Sequence, residues 1–145
     1  IKEALVMSSN PIPQGRYKPA VRYSNFIFTS GMTPRKDGVL VLAGKIKADE
    51  PLETYREAIR QAAANALTAA RNCLNEGEEI VQILSLTVYV NAEPDYLTHA
   101  KVGDVVSEYL FEELGDRGIG ARAAIGLATL PGDAPVEVQF VAAAE

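Results

Sequence analysis

PLETYREAIRQAAANALTAARNCLNE (51–76), followed after a short turn by IVQILSLTVYV (80–90), is the stretch on which the reading of the fold turns. In the first segment Leu52, Tyr55, Ala58, Ile59, Ala62, Ala66, Leu67, Ala70, Cys73 and Leu74 recur at spacings of three and four. That is the period of an amphipathic helix. Pro51 suits a first helical turn, Asp49 and Glu50 suit the positive end of the dipole, and Gly77 suits the end of the helix. The many alanines on the apolar stripe imply close packing against a sheet or a second helix. The second segment is β-branched and apolar throughout, too apolar for an exposed edge strand.

Working outward, SSNPIPQGRYKP (8–19) holds three prolines and a glycine, and residues 1–19 read as an irregular N-terminal segment. AVRYSNFIFTS (20–30) reads as a strand hairpin about Ser24-Asn25, TPRKDG as a turn, and VLVLAGKI (39–46) as a further strand. Pro94 to Leu114 reads as a second helix, with Gly103 weakening its middle. Gly115, Gly118 and Gly120 break the chain. Ala121–Leu130 and Val136–Ala144 then read as two strands joined by PGDAP as a hairpin. The order predicts an α+β two-layer sandwich, with two helices on one face of a mixed sheet in one domain spanning 1–145.

The chain has 145 residues, 48% hydrophobic and 23% charged, the composition of a globular domain. Its net charge of −5 argues against an affinity built on neutralising phosphates, so no nucleic-acid partner is expected. One cysteine (Cys73) and one histidine (His99) leave neither a disulfide nor a metal cluster to be expected. No apolar run approaches 18 residues and no secretion signal is legible, so the expectation is a cytoplasmic protein without a membrane partner.

Arg122 opens ARAAIGLATL, where every neighbour to Leu130 except Thr129 is small or apolar. Two readings stand for it: a strand-end arginine reaching solvent, or a planar fork for a substrate carboxylate. Glu137 lies in the alternating strand VEVQF, where the plain reading is a solvent-facing residue. If 131–134 closes a tight hairpin, Glu137 faces Ala128 and shares a sheet face with Arg122 and Ala124. Arg122 then lies six residues further along, about 20 Å away. A joint site would need a bulge, a bent strand or a neighbouring subunit. Tyr17 reads as a surface tyrosine or a site residue, and Ser30-Gly31 ends a strand where glycine permits close backbone approach. His99 reads as a surface or packing residue and Cys73 as a small core side chain. Arg16, Lys18, Arg22, Arg35 and Lys36 read as a solvated basic face.

FTSGMTP (28–34), Asn65-Ala66-Leu67, TVYVNAEPDY (87–96) and ARAAIGLATLPGDAPVEVQFVA (121–142) occur in an order that resembles the Rid/YjgF family of imine deaminases, formerly labelled L-PSP endoribonucleases. The resemblance runs from about Arg16 to the C-terminus. It implies a chorismate-mutase-like subunit, a homotrimer with one cleft at each subunit interface, and no cofactor or metal. The implied reaction is hydrolysis of enamines and imines, such as 2-aminoacrylate, to 2-keto acids and ammonia. Carried over, Arg122 matches the carboxylate-binding arginine, Tyr17 a cleft tyrosine, Ser30-Gly31 the pair beside the ligand, and Glu137 the glutamate that positions water. Three positions depart from the family: Met32 stands for a glutamine, Asp104 falls near an asparagine, and Ala124 replaces a frequent cysteine. ELGDRGIG (113–120) lengthens the approach to Arg122 and points to a distinct subgroup. The leading expectation is therefore an imine/enamine deaminase. The alternative is a trimeric carboxylate-binding module without chemistry, and an endoribonuclease ranks last.

Overall fold

The computed structural model describes residues 9–145. The part of the irregular N-terminal segment at 1–8, where no secretion signal is legible, lies outside the described residues. Five strands form one sheet, in the spatial order β1 (Ala20–Tyr23), β2 (Phe26–Thr29), β7 (Val136–Ala144), β5 (Ile80–Asn91) and β6 (Ala121–Leu127), and two helices cover one face of it. The fold is the α+β two-layer class. β1 (Ala20–Tyr23) and β2 (Phe26–Thr29) form the expected hairpin, with Ser24 in a left-handed conformation at its turn.

Helix α1 (Glu53–Arg71) buries Ala58, Ile59, Ala62, Ala66, Leu67 and Ala70, the stripe read from periodicity. It stops five residues short of the expected Glu76. Asn72 to Gly77 turn instead, where the Asn75 N–H donates to Glu78 Oε1 at 2.7 Å. Cys73 thus sits past the helix end, half-buried against the core. Glu78 in turn holds Arg22 of β1 through two hydrogen bonds of 2.5 and 2.9 Å. Arg22 is therefore a paired, largely covered residue and not part of a solvated basic face. This pairing, with help from the Asn75 N–H, lowers the Glu78 pKa to about 2.

Helix α2 (His99–Leu114) begins after Thr98, five residues later than Pro94. Residues 93–96 form a turn that buries Tyr96, whose hydroxyl donates to the Thr98 carbonyl, while Leu97 stays exposed. Three arginines of α1 (Arg56, Arg60, Arg71) reach three glutamates of α2 (Glu108, Glu112, Glu113) across the exposed side of the helical layer.

Two expected strands change. In 39–46 only Val39–Leu40 (β4) is a strand, paired with Arg35–Lys36 (β3) about Asp37 and Gly38, both at positive φ. Beyond it, Ile46 makes a single parallel bridge to Ala92. The larger correction concerns the C-terminal pair. β6 (Ala121–Leu127) and β7 (Val136–Ala144) do not pair with each other, because β5 (Ile80–Asn91) lies between them. β5 runs parallel to β6 through the α2 crossover and antiparallel to β7. A strand this apolar needs a partner on both edges, and the long Ala128–Pro135 connection lets the chain pass over its end. Asn91 at that end fixes the crossing: its backbone N–H donates to the Pro135 carbonyl and its side-chain amide to Ala134 and Asp133.

The buried face of the sheet carries Ile27, Leu86, Val88, Val90, Val136, Val138 and Phe140 against the helices. The opposite face presents Val21, Tyr23, Phe26, Phe28 and Ile125, all exposed.

Candidate functional site

Ser30 and Gly31 follow β2 where the chain leaves the sheet. The Ser30 N–H donates to the Pro19 carbonyl at 2.8 Å and its hydroxyl to the Lys18 carbonyl at 2.5 Å, which ties the N-terminal segment to this corner. Tyr17 is the residue before Lys18. It is exposed, and its hydroxyl accepts the Gln14 N–H at 3.0 Å. Met32 exchanges two backbone hydrogen bonds with Val138, of 2.8 and 2.9 Å, and its side chain is buried in the core. Asn65 of α1 donates to the carbonyls of Thr33 and Arg35, so the helix holds the next few residues in place.

Glu137 of β7 lies over this corner. A Cβ added to Gly31 would fall 2.0 Å from Glu137 Oε2, so only glycine lets the carboxyl rest there. Glu137 is half-buried, with no hydrogen-bond or ion-pair partner among the described residues. Burial alone pushes its pKa above the ordinary glutamate range.

Arg122 of β6 is elsewhere. It pairs across the sheet with Leu86, which pairs with Phe140, whereas Glu137 pairs with Tyr89, which pairs with Ile125. Directly opposed residues share a face. Arg122 therefore points to the helical side and Glu137 to the open side, contrary to the shared face that a β6–β7 hairpin would impose. Three residues along the strand and two strands across separate their backbones by roughly 14 Å. The β-bulges of the sheet, at Ile80/Gln82 and Ile83/Ser85, do not lie between them.

On the helical side Arg122 Nη1 donates to Asp104 Oδ1 at 2.9 Å and to Ser107 Oγ at 3.0 Å, and Nη2 to the Ala100 carbonyl at 3.4 Å. All three acceptors are on α2. Asp104 and Ser107 also line a cleft of about 500 Å³ with Phe111 and Ile119. Ala124, two residues along β6, is half-buried against the core, and Gly126 beyond it abuts the His99 ring. His99 packs edge-on against Tyr96. Of the candidates named from sequence, Ser30, Gly31 and Glu137 come together at one corner, to which Tyr17 is joined only through the Lys18 carbonyl; Arg122, Asp104 and Ala124 lie at another, and Met32 is core. Ser107 and the Ala100 carbonyl were not anticipated. The signal for this contact was Gly103, a glycine in mid-helix, because a close approach is one reason to keep one there.

Among the described residues no helix is long and apolar enough to cross a membrane, and no three acidic, histidine or cysteine side chains cluster to hold a metal. A family model described as Endoribonuclease L-PSP matches residues 7–144. A RutC family protein of Pyrococcus horikoshii is 30% identical over 144 residues, covering 98% of both chains. A solved structure of a protein of unknown function from Agrobacterium tumefaciens superposes with a TM-score of 0.83 at 26% identity, over 92% of this chain and 86% of that one. The YjgF gene product of E. coli superposes with a TM-score of 0.64 at 25% identity, over 92% of each chain.

Proposed function

The chain belongs to the Endoribonuclease L-PSP family, as a divergent member of the Rid/YjgF group, and from that premise we propose that it hydrolyses reactive 2-imino acids and their enamine tautomers to 2-keto acids and ammonia. The observation that carries this reading is the Glu137 carboxyl, half-buried, unpaired and seated on Gly31. A carboxylate whose pKa is raised toward the working pH is suited to take a proton from water. In the proposed step, water adds to the imine carbon while Glu137 accepts its proton. Glu137 passes that proton to the nitrogen to give the carbinolamine, then carries the carbinol O–H proton to the same nitrogen, and ammonia leaves as the C=O of the keto acid forms. An enamine is first protonated at carbon. Arg122 supplies the planar fork for the substrate carboxylate, and Tyr17 and Ser30 line the Glu137 corner.

Arg122 and Glu137 of one subunit face opposite sides of the sheet, so a shared site joins Arg122 of one subunit to Glu137 of another. The uncovered apolar face with Val21, Phe26, Phe28 and Ile125 supports such an assembly, which we propose is a homotrimer acting in the cytoplasm. Against RNA cleavage stand the net charge of −5 and a single histidine packed on Tyr96 and Gly126.

The test is a semicarbazide-competition assay, in which an amino-acid oxidase generates imines from a panel of amino acids. Parent protein accelerates imine loss, and Arg122→Ala and Glu137→Gln do not. A parent that binds a 2-keto acid through Arg122 but never accelerates imine loss would establish instead a carboxylate-binding module, the reading to which the Asp104–Arg122 pair lends weight. Sedimentation equilibrium reads the trimer directly.

A further inference from the structure

Gly103 stands in the interior of α2, where glycine is unfavourable relative to alanine. A Cβ at this position would lie 2.9 Å from Arg122 Cζ, 3.0 Å from Nε and 3.2 Å from Nη1. The guanidinium therefore rests on the bare helix backbone at Gly103. Its Nη1 is held by Asp104 and Ser107, one and four residues further along the same helix. Arg122 Nε has no acceptor among the described residues, and Nη2 makes only the long contact to the Ala100 carbonyl. The helix thus fixes the plane of the fork and occupies one nitrogen, leaving the Nε–Nη2 edge for a planar anion.

We infer that Gly103 and Asp104 are positioning residues for Arg122, holding its Nε–Nη2 edge ready for the substrate carboxylate; the inference rests on the carboxylate role proposed for Arg122. Asp104 then acts on the ligand through the guanidinium. Its negative charge, which would repel a carboxylate if isolated, is compensated by the pair it makes. A pre-oriented fork binds more tightly because the side chain need not be ordered when the ligand arrives.

Replacing Gly103 separates this role from a structural one, since alanine favours the helix while its methyl displaces only the mobile end of Arg122. Gly103→Ala is expected to melt no lower than the parent, yet to bind 2-oxobutanoate at least tenfold more weakly by calorimetry. Asp104→Ala is expected to weaken binding similarly, and Asp104→Asn, which keeps an acceptor for Nη1, to stay within about threefold of the parent. In the ligand-free proteins, phenylglyoxal modification of Arg122, read by mass spectrometry, is expected to be faster in Gly103→Ala and Asp104→Ala. If Arg122→Ala loses 2-oxobutanoate while Gly103→Ala and Asp104→Ala bind it as the parent does, the positioning roles fall and the carboxylate role stands. Tighter binding by Asp104→Ala overturns the inference in the same way. Unchanged Arg122 reactivity in both variants overturns the seat itself. Undiminished binding by Arg122→Ala removes the carboxylate role, and the inference with it.

Discussion

Arg122 and Glu137 lie on strands separated by a single strand, yet one is held by three hydrogen-bond acceptors and the other by no polar partner among the described residues. The guanidinium is turned to the helical layer, where α2 supplies a carboxylate, a hydroxyl, a carbonyl and a glycine to lie on. The carboxyl is turned to the open face, where it lies against the backbone at Gly31 and opposite Tyr89, and burial takes water from it without supplying a hydrogen-bond partner. The first arrangement fixes direction and lowers reactivity; the second leaves a base with an unmet demand for a proton. The face of the sheet, more than position along the chain, decides what each charged residue can do.

The largest effect should come from breaking the unpaired side. Glu137→Gln is expected to reduce imine turnover by about 10²–10⁴-fold, the usual contribution of a positioned acid–base group, with keto-acid binding retained. A core substitution on the covered face, Leu110→Ala, is expected to cost about 2–5 kcal/mol in denaturant unfolding, because Leu110 is fully buried. On the open face, Phe28→Ser is expected to leave the far-ultraviolet dichroism unchanged and shift the protein toward monomer in sedimentation equilibrium. A monomeric Phe28→Ser protein with full turnover would show that the site does not need a second subunit.

Smaller effects sharpen the contrast through pH. Burial raises the Glu137 pKa, so its ionised form penalises the folded state, and that penalty appears as pH rises through the folded pKa. Glu137→Gln should therefore raise the melting temperature near pH 7, and the gain should vanish below the unfolded pKa of about 4.5. Glu78 behaves oppositely. Its pKa is lowered to about 2 by Arg22, so its stabilisation is present above about 4.5 and is lost as pH falls toward 2. Glu78→Gln should flatten the acid limb of the melting profile in that window. The effect is modest because the pair is partly open to solvent.

Much of this molecule was determined by sequence alone. The 3.6-residue stripe of α1, the β-hairpin about Ser24-Asn25 and the apolar run of β5 are local patterns, and each forms in its expected stretch, although α1 ends at Arg71, before Cys73 and Leu74. Tyr17, Ser30, Gly31 and Glu137 were legible as candidates through short motifs, although neither the seating of Glu137 on Gly31 nor the burial that raises its pKa was. What only the tertiary structure decided is the order of the strands. A hairpin between β6 and β7 is the shortest local solution for ARAAIGLATLPGDAPVEV (121–138), but β5, too apolar to leave the backbone groups of either edge to solvent, takes one strand on each side. That long-range pairing reverses the face relation of Arg122 and Glu137. It also brings Arg122 to Gly103, Asp104 and Ser107, a contact between helix and edge strand that no local pattern encodes, since it depends on which elements become neighbours once the core has closed.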